Sequence, residues 1–200
     1  FFPTCLYRFK HDFKENELNS LIKHIEDNSL SEQNGQTIKR TGSQTQNELH
    51  KIDTFANLTK TIIDATKSIL DEQGYVGEVE ITNMWGNILR PQSQRAHAPH
   101  THSNNFLSGV FYLKTSDDTS PIQFFDPRPQ SDVLKPRKKE YNRLNSNIAQ
   151  FQSETGWGVV FPSWLQHWVP ETKDERISIA WNIIVRGEYG EPNALQNAYI

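Results

Sequence analysis

The hydrophobic period of this chain changes near Val76, and that change constrains the fold more than any other feature. From Val76 onward, apolar residues alternate with polar ones in short runs, which Pro, Gly, Asn or Asp residues separate. Several short strands separated by turn residues predict a β-sandwich or jelly roll. The predicted strands are EVEITNMWGNIL (78–89), FLSGVFYL (106–113), PIQFF (121–125), WGVVFP (157–162) and RISIAWNIIV (176–185).

The preceding part, from about residue 14 to 73, has a helical period instead. One apolar stripe consists of Leu18, Leu21, Ile22 and Ile25, and a second of Phe55, Leu58, Ile62, Ala65 and Ile69. Asp53 or Thr54 is predicted to cap the second helix, and Gly74 to end it in the left-handed conformation. We therefore expect an α+β fold, mainly β, with these helices packed on one sheet.

The composition fits one domain over residues 1–200, with helical support at about 14–73 and a jelly-roll core at about 76–186. A net charge of -3 and a pI near 6.2 argue against nucleic acid as the main partner. A single cysteine excludes an internal disulfide framework and is typical of a reducing compartment, so we expect a cytoplasmic protein. No apolar run is long enough for a membrane span, although a chain that begins with Phe leaves a removed leader open.

Two polar segments interrupt the predicted elements. The segment at about 29–50 is rich in Gly, Ser and Gln and is interpreted as a mobile surface loop, a candidate lid or substrate loop. The segment at about 128–155 lacks sustained alternation and carries a basic patch at Lys135–Lys139. We interpret it as a long insert between strands, and inserts of this length are often functional. Its charges alone are more typical of a solvated surface loop.

Three histidines are crowded into HAPHTHSNN, just before a predicted strand. In an extended segment His100 and His102 project on the same side, which is suitable spacing for two ligands of one metal ion. A fourth histidine, His167, lies among aromatic residues in FPSWLQHWVP. Each feature alone also fits a hydrogen-bonded loop or a core histidine, and His97 competes with His100 as a ligand.

The strand that begins at Arg176 indicates a binding site for an anion. Alternation places Arg176, Ser178, Ala180 and Asn182 on one face, and Ile177, Ile179, Trp181 and Ile183 on the other. If the apolar face packs on the helices, the guanidinium points into the roll, where an unpaired charge is costly. Arg176 with Ser178 therefore indicates a carboxylate receptor, and an internal salt bridge is the alternative.

The order of these motifs resembles that of the iron(II)- and 2-oxoglutarate-dependent oxygenases, in particular the prolyl-4-hydroxylase-like branch. PHTH, the strand SGVFYL, GWGVVFPSWLQHWVP and ERISIAWN follow one another across about residues 80–186. The resemblance implies a double-stranded β-helix, an Fe(II) cofactor, and 2-oxoglutarate and O2 as co-substrates. It also implies the catalytic metal ligands His100, His102 and His167, a C5-carboxylate receptor of Arg176 and Ser178, and a hydrogen bond from Asn87 to the co-substrate.

The chain departs from this family at one ligand. The family usually has His-x-Asp where this chain has His-x-His, so the metal would have three neutral imidazoles. Fewer negative ligands leave more positive charge on the metal, which the dianionic co-substrate can offset. Asp126 in FFDPRP is a conceivable replacement carboxylate, although Asp before Pro is typical of a turn.

The resemblance implies a dioxygenase that converts 2-oxoglutarate to succinate and CO2 while it hydroxylates a C–H bond of a small-molecule or peptide substrate. Tyr112, Trp164, Trp168 and Trp181 either line its pocket or belong to the core. The alternative is a cupin-like three-His protein that binds Zn or another divalent ion, as hydrolase, isomerase or ligand-binding module. Arg176-x-Ser178 favours the oxygenase, because a cupin has no special need for it. A third interpretation is a noncatalytic interaction module.

Overall fold

The structure is a computed structural model that describes residues 3–29, 31–33, 36–38, 44–91, 96–128, 130, 133–142 and 144–200. Its α-helices are α1 (Glu15–Asn28) and α2 (Ala56–Gln73), with 3-10 turns at Leu49–Lys51 and Asp53–Phe55 before α2. Its strands are β1 (Tyr7–Lys10), β2 (Ser31–Gln33), β3 (Gln36–Ile38), β4 (Glu78–Leu89), β5 (His97–His100), β6 (Leu107–Lys114), β7 (Ile122–Phe125), β8 (Ile148–Phe151), β9 (Trp157–Pro162), β10 (His167–Val169), β11 (Arg176–Arg186), β12 (Glu188–Tyr189) and β13 (Ala198–Tyr199).

Two antiparallel sheets form the body of the protein. The larger sheet has the strand order β1-β9-β6-β11-β4, and the smaller has β5-β10-β7-β8. Their inner faces meet in a core of buried apolar side chains from both sheets, which are Leu89, Val110, Tyr112, Ile122, Phe124, Val159, Phe161, Leu165 and Val169. All five predicted strands are present, so the prediction of a mainly β fold with α-helices is confirmed.

Both helices cover the outer face of the larger sheet. The apolar face of β11 packs there with buried residues of α1 and α2, as the alternation predicts. Gly86 of β4 lies under α1 so closely that a Cβ atom would be 2.7 Å from Ile25. The opposite face of β11 is left to face the smaller sheet, and it carries Arg176 and Ser178.

The predicted ends of α2 are half correct. Gly74 has φ 74° and its N–H bonds the carbonyl oxygens of Leu70 and Asp71, so it ends the helix in the left-handed conformation. The prediction that Asp53 or Thr54 caps the start of α2 is wrong. Both residues belong to the 3-10 turn Asp53–Phe55, and Phe55 occupies the cap position without a side-chain hydrogen bond.

Several strands were not predicted. β8 lies inside the segment interpreted as an insert, and β1 extends the larger sheet through β9. Within the segment at about 29–50, β2 and β3 form a hairpin, and residues 44–48 run along β4 through bridges at Gln44 and Glu48. The remainder of that segment, residues 30, 34, 35 and 39–43, lies outside the described residues, as do 129, 131, 132 and 143 of the insert.

Across the described ranges, no helix has both the length and the apolar character needed to cross a membrane.

Candidate metal and anion site

Three imidazoles converge where the two histidine motifs meet. His100 ends β5, His102 follows it in the loop before β6, and His167 begins β10. β5 and β10 are antiparallel neighbours with His100 opposite His167, which brings residues 67 positions apart in sequence (167 − 100) side by side. The candidate ligand nitrogens all lie within 4.8 Å of one another, and the two Nε2 atoms of His102 and His167 are 3.3 Å apart.

The backbone orients two of these rings toward a common point. Nδ1 of His100 lies 2.7 Å from the carbonyl oxygen of Ala98, and Nδ1 of His167 lies 2.9 Å from that of Leu165. A ring nitrogen in such contact carries the proton and donates it, so Nε2 of each ring retains its lone pair. The cluster therefore presents free ligand nitrogens.

Burial keeps the imidazoles of His102 and His167 neutral at pH 7. Burial lowers the pKa of His102 to about 4, with a smaller effect of His100. Burial also lowers the pKa of His167 to about 4, although the hydrogen bond to Leu165 opposes this shift. Neutral imidazoles are the ligands that Fe(II), Zn, Cu and Ni accept, so the donor set fits a transition metal.

The cluster opens into a cavity of about 330 Å³ between the two sheets, a volume suited to a small molecule. Arg176 lines the same cavity although the residue is only 1% exposed. Its Nη1 donates to Ser178 Oγ at 3.0 Å, and its buried Nε has no hydrogen-bond partner among the described residues. No described carboxylate pairs with this guanidinium, so the internal salt bridge weighed above is absent from the described residues. The cavity thus combines three histidines that could hold a metal ion with a cation that no described carboxylate neutralises.

Tyr112 belongs to the core between the sheets and lies directly beside Arg176, one of the residues that line the cavity. The register of the larger sheet places Tyr112 and Asn87 on either side of Ser178, in one row across β6, β11 and β4. The centre of the Tyr112 ring lies 4.9 Å from the Arg176 guanidinium carbon, and its buried hydroxyl makes no hydrogen bond of standard geometry to another described residue. Burial raises the pKa of Tyr112 against the opposing charge of Arg176. A neutral hydroxyl beside a guanidinium is suited to an anionic ligand.

Asn87 is buried and lines the cavity, as does Trp85 two residues earlier on the same strand. The Asn87 Oδ1 accepts a hydrogen bond from Gln44 Nε2 at 2.8 Å. Gln44 belongs to the segment interpreted as a lid or substrate loop, and it also lines the cavity. No motif in the sequence pointed to Gln44, because only the pairing of residues 44–48 with β4 brings it there.

Asp126 is not part of this cavity. Its carboxylate accepts three hydrogen bonds from Arg128, two from the guanidinium at 2.9 and 2.7 Å and one from the backbone N–H at 3.0 Å, and the residue lines a separate cavity near the end of β7. The hypothesis that Asp126 replaces the family's carboxylate ligand is therefore wrong. Among the described side chains, the group that could hold a metal ion consists of His100, His102 and His167.

The other three aromatic candidates, Trp164, Trp168 and Trp181, do not line the cavity either. Trp164 is 57% exposed, Trp168 donates its indole N–H to Gln123, and Trp181 is buried in the core under the helices. His97 does line the cavity but is not in the three-histidine cluster. Burial, together with the charges of Arg176 and His100, lowers the pKa of His97 to about 4.

Comparison with known proteins assigns the family. The model of a family described as "Putative 2OG-Fe(II) oxygenase" matches residues 83–182, which is half of the chain, and the chain belongs to this family. The matched part includes the three histidines, Arg176 and Ser178. No curated protein sequence matches the chain.

Solved structures of such enzymes have a similar fold. The α-ketoglutarate-dependent epimerase SnoN of nogalamycin biosynthesis superimposes with a TM-score of 0.65 at 10% identity, over 96% of this chain and 83% of its own. A prolyl-4-hydroxylase of Pseudomonas putida gives 0.61 at 13% identity, over 92% and 94%. A Trichoplax adhaerens prolyl hydroxylase, solved with a hypoxia-inducible factor peptide, gives 0.60 at 8% identity, over 90% and 83%. The predicted jelly-roll fold and the predicted oxygenase family are therefore confirmed.

Proposed function

We propose that this protein is an Fe(II)- and 2-oxoglutarate-dependent dioxygenase that hydroxylates a C–H bond of a peptide or small-molecule substrate. One observation carries the proposal. The buried Arg176 guanidinium has no carboxylate partner among the described residues and faces the same cavity as three convergent imidazoles. A dicarboxylic acid that chelates a metal through one end needs such a cation at its other end.

His100, His102 and His167 would hold the iron as a facial set and leave its other positions to co-substrate and O2. Bound Fe(II) supplies the chemistry that couples O2 and the conversion of 2-oxoglutarate to succinate and CO2 to oxidation of the substrate. The charge that three neutral ligands do not neutralise would be offset by the carboxylates of the co-substrate.

The remaining residues bind and orient. Arg176 would form a charge-assisted hydrogen bond to the distal carboxylate through its free Nε, and the Tyr112 and Ser178 hydroxyls would donate to the same carboxylate. Asn87 would donate its amide N–H2 to the co-substrate while Gln44 holds its oxygen. These contacts fix how the 2-oxo acid approaches the histidines, which is a gain from orientation. The apolar lining of Val110, Ile122, Phe161 and Val169 would exclude water.

Anaerobic titration tests the proposal directly. The full chain is saturated with Fe(II), 2-oxoglutarate is added, and the weak visible absorption of the metal–oxo acid chelate is recorded. Oxygen is then admitted and succinate is measured. We expect a saturable band followed by succinate. A folded protein that gives no chelate band would refute the dioxygenase.

The anion receptor has its own test. Arg176→Ala is expected to weaken 2-oxoglutarate binding by about 2 to 5 kcal/mol, because the carboxylate loses a charged hydrogen-bonding partner. The matched control is Arg186→Ala at the other end of β11. The Arg186 guanidinium pairs with Glu80 on the surface, so its removal is expected to leave the affinity for 2-oxoglutarate unchanged. Equal affinity in the Arg176 variant would show that the receptor is elsewhere.

The cupin-like alternative stays as an outcome of the same experiment. The all-imidazole donor set is the observation that favours it, because three histidines suit Zn as well as Fe(II). Tight Zn(II) binding with no effect of 2-oxoglutarate, and no succinate with Fe(II), would support that function.

A further inference from the structure

A chain of buried hydrogen bonds crosses the inner side of the larger sheet beside the histidine cluster. Ser108 Oγ of β6 donates to Asn182 Oδ1 of β11 at 2.6 Å, and it lies 2.8 Å from Ser163 Oγ, just after β9. Asn182 Nδ2 in turn donates to Asn83 Oδ1 of β4 at 2.6 Å. Ser108, Ser163 and Asn182 are at most 5% exposed. Four neighbouring strands are thus linked through polar side chains.

This network ends at the backbone that holds His102. The His102 N–H donates to the Ser163 carbonyl oxygen at 2.9 Å, and the Ser163 N–H donates to the Phe106 carbonyl oxygen at 3.1 Å. The Phe106 N–H donates to the carbonyl oxygen of Ile183, next to Asn182. Ser163 therefore holds both ends of the loop from His102 to Phe106, and its own side chain is held by Ser108.

His102 needs such support more than the other two histidines do. His100 and His167 lie in paired strands, and each ring is oriented by a hydrogen bond to a carbonyl group. His102 lies in a loop that passes through a left-handed residue, Asn104 with φ 61°. Its ring has only the 3.3 Å contact to His167 Nε2 as a polar contact among the described residues.

The presence of polar side chains at these buried positions requires an explanation. Apolar side chains of similar size could fill the same space and would need no hydrogen-bond partners. Such networks are justified where they specify one arrangement of the groups around them. We propose that Ser108, Ser163 and Asn182 are positioning residues that fix the His102 loop and thereby the third ligand of the metal site. This proposal rests on the proposed function for the role of His102.

The first test asks whether the network holds the loop, and it needs no metal. Ser108→Ala breaks the network at its centre. We expect amide hydrogen exchange in residues 101–106 to become at least about tenfold faster, because the His102 N–H opens more often. Ser153→Ala is the matched control, since it removes another buried hydroxyl. The Ser153 Oγ lies 2.9 Å from Thr119 Oγ1, in a hydrogen bond that involves none of the three histidines. It is expected to leave exchange in this loop unchanged.

The second test asks whether holding the loop matters for the ligand. Co(II) alone is titrated into each full-length variant, and its affinity and visible absorption are recorded. Loss of a supporting hydrogen bond behind a ligand typically costs about 10- to 100-fold in metal affinity, so we expect a loss in this range for Ser108→Ala and less than about twofold for Ser153→Ala. If Ser108→Ala does not fold, Ser163→Ala replaces it, because that variant keeps the Ser108–Asn182 bond.

The outcomes separate the two proposals. Unchanged exchange in residues 101–106, or faster exchange with unchanged Co(II) affinity and spectrum, would overturn the positioning role. An equal loss in Ser153→Ala would overturn it too, since the effect would then be one of general stability. Unaltered protein that binds no Co(II) would overturn the proposed metal site itself.

Discussion

The two faces of strand β11 border two different regions of the molecule, the apolar core under the helices and the cavity between the sheets. On the outer face Ile177, Ile179, Trp181 and Ile183 are buried with the helices in an apolar core. On the inner face the same strand carries Arg176, Ser178 and Asn182, all buried as well. These residues are buried on both faces, but burial has a different effect on the free energy of folding for each group.

The outer face gains free energy from burial, because apolar area leaves water. The inner face loses some, because a guanidinium is desolvated without a described anion to pair with it. The cost of desolvation falls on the inner face of β11 and not on the outer face. This difference supports the proposal that the cavity binds an anionic ligand. Substitutions on each face of β11 test separately whether the outer face stabilises the fold and the inner face serves binding.

The largest effect is expected on the outer face. Trp181→Ala should lower the free energy of unfolding by about 3 to 5 kcal/mol, measured by urea denaturation. The side chain is fully buried, and a Cβ on Gly109 would lie only 2.2 Å from its ring, so the space is closely packed. Its indole N–H has no hydrogen-bond partner among the described residues, so the loss would come from packing.

The control is a tryptophan that is mostly in solvent. Trp164→Ala removes the same atoms from a residue that is 57% exposed, and should cost less than about 1 kcal/mol. Similar losses in the two variants would mean that the outer core is not the main source of stability.

The opposite sign is expected on the inner face. Arg176→Met keeps much of the side-chain volume and removes the buried charge, so we expect the ligand-free protein to gain about 1 to 4 kcal/mol in unfolding free energy. Binding of 2-oxoglutarate should be lost in the same variant. Stability and binding would then change in opposite directions at one residue.

Arg186→Met is the matched control at the far end of β11. Arg186 pairs with Glu80 through two hydrogen bonds of 2.6 and 3.1 Å, with side chains 41% and 48% exposed. Solvent screens such a pair, so the change in stability should stay within about 1 kcal/mol. A destabilised Arg176→Met variant would mean that the guanidinium is compensated inside the protein.

Local patterns were enough to predict much of this arrangement. The alternation along β11 predicted which of its side chains meet the helices, since a strand has a period of two. Gly74 was predictable because a helix end in the left-handed conformation favours glycine. The spacing of His100 and His102 suited two ligands of one metal ion, and the family resemblance added His167 as the third.

The unpredicted features depend on which strands become neighbours. Tyr112 reaches Arg176 only because β6 pairs with β11, and the two residues are 64 positions apart (176 − 112). The network from Asn83 to Ser163 likewise needs four strands in order. β8 is a mostly exposed edge strand, so its sequence carries no alternation of buried and exposed residues. Asp126 was considered as a ligand because chain order does not show that it lines a different cavity from the three histidines.

The smallest predicted effect is a pH dependence from the inner face. Burial first, and then the charges of Arg176 and His100, lower the pKa of His97 to about 4, from about 6.5 in an unfolded chain. Between these values the unfolded chain binds the proton and the folded protein does not. The contribution of His97 to stability is therefore fully present above about pH 6.5 and is lost as the pH falls toward about 4.

Replacing His97 removes this contribution and should flatten the profile. In His97→Gln, the change in unfolding free energy between pH 6.5 and 4 should be smaller than in the unaltered protein by about 1 to 2 kcal/mol. A shift of one pKa unit corresponds to about 1.4 kcal/mol of unfolding free energy. The expected change is smaller than the full shift would give, because water that reaches the cavity reduces the effect of burial. Urea denaturation of both proteins across this range, with a chelator present, measures the difference. Because the apolar outer face does not titrate, a parallel shift of the two profiles would locate the acid sensitivity outside the surroundings of His97.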